Sequence, residues 1–221
     1  MPAFIFDLDG TLVDSVYQHV MAWHSALREC GYDLSIWRIH RRIGMSGGLM
    51  MRALTRELNM DLDEATVKRL TELHAQEFQR RAPAISVLPG ARELLAELRD
   101  SKIPYIIATS GRLETAQPML NLLGVGRDEP VITREKVKRA KPDPDLFLAA
   151  AKALNVKDVD TMVVGDSVWD MLAARRANFL GVGLLSGGYG QQELEQAGAY
   201  RVYADPEEMR RHLDELGVRA E

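Results

Sequence analysis

The feature that most constrains this chain is a repeated pairing of a short apolar run with a cluster of polar residues at its carboxyl end. Ala3 to Leu8 runs apolar into Asp7 and Asp9. Ile103-Pro104-Tyr105-Ile106-Ile107-Ala108 leads into Thr109, Thr161-Met162-Val163-Val164 into Gly165-Asp166, and Phe179 to Leu185 into Ser186. Runs this short and this uniformly apolar are the pattern of strands buried on both faces of a sheet. Between them lie segments with helical spacing and helix punctuation: Pro89-Gly90 ahead of Leu94, Leu95 and Leu98, Gly124 after Leu113 to Leu123, and Asp143-Pro144 as a cap and first-turn proline before Leu146 to Leu154. Asp205-Pro206-Glu207 opens a final helix. Strand and helix in alternation specify an α/β fold, a Rossmann-like three-layer arrangement around a parallel sheet.

One stretch breaks the alternation. From Ser15 to Leu88 the apolar residues keep helical spacing throughout: Val16, Val20, Trp23 and Leu27, then Leu49 to Leu58, then Val67, Leu70 and Leu73. The expected organisation is an α/β core from 1–14 and 89–221, with an all-helical cap at 15–88 joined to it by two crossings that form a hinge. The length of 221 residues suits a core with one such insertion.

Composition removes several function classes. The net charge is −4 and the basic residues are scattered, so there is no electrostatic footprint for a nucleic-acid backbone or an anionic membrane surface. Cys30 is the single cysteine, which rules out an intrachain disulfide and leaves it a packing residue. The start of the chain lacks the basic residues and long apolar stretch of a signal peptide, and no segment reads as a membrane span, so a cytoplasmic location is expected.

Candidate chemistry gathers at the strand ends, where open parallel sheets bind their ligands. In Asp7-Leu8-Asp9-Gly10-Thr11 the two acids alternate along a strand and so face one side, and Gly10 permits a sharp turn directly after them. Thr109-Ser110-Gly111 offers a hydroxyl at a strand end followed by amides suited to an anion, with Ser110 a rival for the hydroxyl role. In Lys141-Pro142-Asp143-Pro144 a proline-stiffened loop holds one ammonium. Gly165-Asp166-Ser167-Val168-Trp169-Asp170 supplies two acids one helical turn apart.

These four segments, in this order and with a helical insertion after the first, resemble the haloacid dehalogenase superfamily, specifically its phosphoglycolate phosphatase and beta-phosphoglucomutase-like members with a helical cap. The resemblance covers nearly the whole chain. It implies a magnesium-dependent phosphatase acting on a small phosphate monoester of the phosphoglycolate or sugar-phosphate type. Asp7 would be the nucleophile, forming an aspartyl-phosphate, and Asp9 the general acid and base. Lys141 and Thr109 would stabilise the transferring group, with Ser110 and Gly111 binding phosphate. Magnesium would take a side-chain oxygen of Asp7, the backbone carbonyl of Asp9 and a carboxylate oxygen of Asp166, with Asp170 orienting that set.

Cap residues are less sharply defined. His19 and Trp23, one turn apart on the first cap helix, match an arrangement in sugar-phosphate members, although a His and Trp at that spacing also suit a core. Arg42, with Arg41 as its rival, precedes the glycine-rich turn Ile43-Gly44-Met45-Ser46-Gly47-Gly48 and is a candidate substrate contact. Asp9 argues against dehalogenase and phosphonate-cleaving activity, whose enzymes lack this acid. The phosphonate-cleaving members also need a cap lysine, and Lys68 lies on a charged late helix. A beta-phosphoglucomutase-like phosphomutase is the alternative, disfavoured because such members carry an arginine where Gly47 aligns. A phosphate-responsive signalling module is more remote, since receiver domains carry their phosphorylated Asp on a middle strand and have no cap. The expected partner is a small-molecule phosphate, and the expected state a monomer or weak homodimer.

Overall fold

In the computed structural model, residues 2–45, 47–58, 62–126, 129–156 and 161–218 are described. They divide into two compact units, one of residues 1–14 and 86–221 and one of residues 15–85.

The larger unit is built on a six-stranded sheet in which every pairing is parallel. Its strands are β1 (Ala3–Phe6), β4 (Tyr105–Ala108), β5 (Val131–Ile132), β6 (Thr161–Gly165), β7 (Leu180–Leu184) and β8 (Ala199–Tyr203), in the order β5-β4-β1-β6-β7-β8. The chain fills one side of β1 with β4 and β5, then crosses to the other side for β6, β7 and β8. That reversal opens a crevice at the carboxyl end of β1, the place such sheets reserve for ligands. The helices α5 (Ala91–Asp100), α6 (Leu113–Leu123), α7 (Asp145–Leu154), α8 (Val168–Arg176), α9 (Gln191–Ala197) and α10 (Pro206–Arg211) alternate with the strands.

Side chains of β1 sort by the two-residue period of a strand. Ile5 packs with Ile106 and Val163 against Leu146, Phe147 and Ala150 of α7 and Ala173 and Ala174 of α8, all buried. Phe4 and Phe6 point the other way and stack on each other. Sandwiched between β4 and β6, β1 is fully buried, which fixes where Asp7 emerges.

Helix termini follow local chemistry. Gly124 closes α6 in the left-handed conformation, φ 75°, as its position predicts. Asp205 caps α10 by accepting from the Glu208 amide. The expected cap before α7 differs: the helix begins at Asp145, Pro144 is the residue before its first turn, and Asp143 does not cap it. Proline's fixed φ suits either place, so the sequence alone did not decide between them.

Two short strands, β2 (Val13–Asp14) and β3 (Ser86–Val87), pair antiparallel where the chain leaves and re-enters the larger unit. The Leu88 amide also donates to the Leu12 carbonyl at 3.0 Å. This corrects the reading of residues 15–88 as wholly helical: Ser86–Val87 is a strand, and the compact helical unit stops at Ile85.

The smaller unit comprises α1 (Val16–Glu29), α2 (Ile36–His40), α3 (Gly47–Leu58) and α4 (Glu64–Arg81), ending in a 3-10 turn over Ala82–Ala84. Its core contains Val16, Val20, Trp23 and Leu27 of α1 with Ile39, Leu54, Leu70 and Leu73. The side chain of Asp63 caps α4 by accepting from the Thr66 amide at 2.8 Å. Ser46 of the glycine-rich turn lies outside the described residues.

Candidate active site

β1 delivers Asp7 to the end of the sheet, where its amide still donates to the Val164 carbonyl at 2.9 Å. The chain then turns at once. Gly10 takes φ 79°, its amide donates to the Val13 carbonyl at 2.8 Å, and the Thr11 and Leu12 amides donate back to the Leu8 carbonyl. A side chain at Gly10 would be strained in that conformation. The turn leaves Asp7 buried and Asp9 half-buried.

Opposite Asp7 stands Lys141, which is 0% exposed. Its Nζ lies 2.8 Å from Asp7 Oδ2 and 2.8 Å from Asp170 Oδ1. A buried ammonium is tolerable only when paired, and here two carboxylates share it. Burial opposes the lysine's charge, yet Asp170 and Asp7 together hold its pKa above the ordinary lysine value.

Asp170 performs two tasks with two oxygens. One receives Lys141; the other accepts from both the amide and the hydroxyl of Ser167, closing a capping box at the start of α8. One side chain thus both caps α8 and pairs with the buried ammonium. Gly165 is what lets Asp170 sit so close, because a Cβ there would fall 2.4 Å from the Asp170 Cβ.

Asp166 completes the group. Its Oδ1 accepts from the Thr11 hydroxyl at 3.1 Å, and Asp7, Asp166 and Asp170 each place a carboxylate oxygen within 4.8 Å of the others. Three buried carboxylates thus face one ammonium. Burial first, partly offset by Lys141 and then reinforced by Asp170 and Asp9, pushes the Asp7 carboxyl up to about 7. Burial and the neighbouring Asp170 and Asp7 likewise hold Asp166 well above the usual carboxylate range.

Asp7 Oδ1 is buried and has no hydrogen-bond partner. An orphaned carboxylate oxygen inside an all-oxygen cluster with excess negative charge fits a hard divalent cation. Asp7 and Asp166 have the oxygens for it, whereas both oxygens of Asp170 are already engaged.

Thr109 is buried at the end of β4, the strand beside β1. Its hydroxyl oxygen accepts the Gly111 amide at 3.0 Å, so that amide is committed within the loop, and the bond leaves the hydroxyl proton of Thr109 unused. Ser110 is half-buried at the bend.

Two site candidates belong to the helical unit. His19 Nδ1 and His74 Nε2 share a hydrogen bond at 3.2 Å, the His19 ring stacks on Phe78, and His74 stacks on Trp23. Trp23 is buried in that unit's core. Arg42 forms a close ion pair with Glu57. Within the larger unit, then, Asp7, Lys141, Asp166 and Asp170 converge, while His19 and Arg42 are each engaged by a partner inside the helical unit. Two site residues escaped the sequence reading: Thr11, which holds Asp166, and Ser167, which holds Asp170. For Ser167 a signal existed, since Ser167-Val168-Trp169-Asp170 has the spacing of a capping box.

Residues 1–178 match the model of haloacid dehalogenase-like hydrolases. The chain belongs to the haloacid dehalogenase-like hydrolase family. This haloacid dehalogenase-like hydrolase is 33% identical over 176 residues to hexitol phosphatase A of Escherichia coli, covering 79% of this chain and 78% of the relative. It is 27% identical over 202 residues to beta-phosphoglucomutase of Bacillus subtilis, covering 88% and 86% of the two chains. Its fold matches the crystal structure of a hydrolase from Pseudomonas syringae with a TM-score of 0.95 and 52% identity, over 97% of this chain and 99% of that one.

Proposed function

We propose that this hydrolase is a phosphatase that removes phosphate from a small organic monoester, of the sugar-phosphate or phosphoglycolate type, with magnesium as its cation. The observation that carries the reading is Asp7, with one oxygen on Lys141 and the other buried and unpartnered beside Asp166. Phosphatases among its relatives support the choice of reaction. Asp7 and Asp166 would hold the magnesium together with the Asp9 carbonyl. When bound, the ion would supply positive charge that offsets repulsion between the Asp7 carboxylate and a phosphate dianion.

The residues divide the remaining work. Asp7 attacks phosphorus in line and becomes an aspartyl-phosphate. Asp9, half-buried and next to the turn, protonates the leaving alkoxide and then takes a proton from the water that hydrolyses the acyl phosphate. Lys141 keeps Asp7 in place and offsets charge on the transferring group, and the Thr109 hydroxyl donates to it. Asp170 fixes Lys141. In this proposal the helical unit at 15–85 selects the substrate.

A mutase reading draws support from the beta-phosphoglucomutase relative. The test is phosphate release from a panel of hexitol, hexose and pentose phosphates and phosphoglycolate, with magnesium and then with EDTA, run beside a coupled assay for isomerised hexose phosphate. Magnesium-dependent release is the expected result. Isomerisation without net release would establish the mutase instead, and no turnover of either kind would remove both.

A further inference from the structure

After β7 the chain makes a 3-10 turn over Leu185–Gly187. None of the four motif segments includes it, yet two successive residues of this turn touch both of the loops that carry the acids. The Ser186 hydroxyl donates to the Gly10 carbonyl at 2.6 Å, a bond between residues 176 positions apart. Gly10 is buried, and its carbonyl belongs to the Gly10–Thr11 peptide, one unit beyond the Asp9 carbonyl in the same turn. Gly187 lies against the other acid: a Cβ placed on it would fall 1.8 Å from Asp166 Oδ2 and 2.5 Å from Asp166 Cγ. With Thr11 donating to Asp166 Oδ1, that carboxylate is held by a hydroxyl at one oxygen and flanked by a bare backbone at the other.

We infer that Ser186 and Gly187 are positioning residues that set the spacing between the Asp9 turn and the Asp166 carboxylate, and through it the geometry for a divalent cation. The inference rests on the phosphatase reading, in which those two groups hold the same ion. Groups that orient a metal's ligands commonly govern affinity about 10- to 100-fold when deleted, and Ser186 reaches the Asp9 turn through the Gly10 carbonyl, one residue beyond the ligand. Ser186→Ala would leave the Gly10 carbonyl without its donor and free the turn to drift, while the Asp7–Lys141 pair stays intact. Ser186→Thr keeps the hydroxyl at this half-buried position. Gly187→Ala acts directly, because its new methyl displaces the Asp166 carboxylate.

The experiment is calorimetric titration of the full chain with magnesium and manganese, paired with kcat and KM on the best substrate of the panel. Ser186→Ala is expected to weaken cation binding about tenfold or more and to lower kcat with little change in KM. Ser186→Thr should recover most of the affinity, and Gly187→Ala should lose more than Ser186→Ala. Melting in EDTA checks that each variant is folded, and if Ser186→Ala does not fold, the Thr and Gly187→Ala pair carries the comparison. Wild-type affinity in Ser186→Ala, or in Gly187→Ala where that pair decides, would overturn the inference. A wild-type protein that binds neither cation would instead overturn the phosphatase reading beneath it.

Discussion

Replacing Asp7 with Asn should make the metal-free protein more stable at alkaline pH while destroying its activity. The Asp7 carboxyl stands at about 7 in the folded chain against an ordinary 3.8. A pKa raised by folding means that the native state prefers the protonated form. Its contribution is therefore fully present below pH 3.8, declines as pH rises, and is gone above about 7. The difference of about 3 pH units corresponds to about 4 kcal/mol, reached in full near pH 8, with about 2 kcal/mol already incurred by pH 5. Asn removes this cost but accepts less strongly from Lys141, an offset of about 1–2 kcal/mol. The variant should thus equal the wild type near pH 5 and exceed it by about 2–3 kcal/mol at pH 8, a rise in Tm of roughly 4–12 °C for a chain of this size. Scanning calorimetry in EDTA from pH 5 to 9 measures this directly. Saturating magnesium should then shrink or reverse the gap, because the cation stabilises only the protein that binds it, by about 2.7 kcal/mol at a hundred times Kd. An Asn variant less stable than wild type at pH 8 in EDTA, or a gap that does not vary with pH, would refute the electrostatic account.

Other perturbations probe the neighbours. Lys141→Met leaves Asp7 and Asp170 buried without their shared cation and should cost about 3–5 kcal/mol in denaturant titrations at pH 8, with turnover down about 10²- to 10³-fold. The same variant should recover stability as pH falls and the carboxyls protonate. Ser167→Ala removes a helix cap and a donor to Asp170, so unfolding free energy should fall by about 1–2 kcal/mol, with a reduced kcat as Lys141 loses its firm partner. Gly165→Ala would push its Cβ into Asp170 and should impair activity far more than the same change at Gly126, where a Cβ meets only the Glu129 carboxylate at an ordinary 3.8 Å.

Much of this arrangement is legible in the sequence, for reasons particular residues make clear. Strand β1 announces itself because both faces are buried, which forces an apolar run, and its abrupt change to Asp7-Leu8-Asp9-Gly10 marks the exit from the sheet. Asp166 and Asp170 stand out in the same way after β6. By contrast β5 is two residues long, and β8 is an edge strand with exposed Tyr200 and Arg201, so neither has the apolar signature of a buried strand. The pairing of β2 with β3 joins segments more than seventy residues apart and leaves no periodicity to detect. Side-chain partnerships across such distances are equally silent. Nothing in the order of residues links Ser186 to Gly10, or shows that Arg42 is taken by Glu57 and His19 by His74. The reactive end of the site is readable because its chemistry demands fixed residue types at strand ends. The side-chain partnerships inside the helical unit are not, because they join residues far apart in the chain.

The central claim is that Asp7 carries the phosphoryl group. Rapid-quench turnover of the best substrate of the panel, followed by borohydride reduction and peptide mass spectrometry, converts an aspartyl-phosphate at any position to homoserine and locates it. Homoserine at position 7, appearing within a single turnover and absent from Asp7→Asn, is the predicted result. Homoserine at another aspartate, or undiminished turnover by Asp7→Asn, would contradict it.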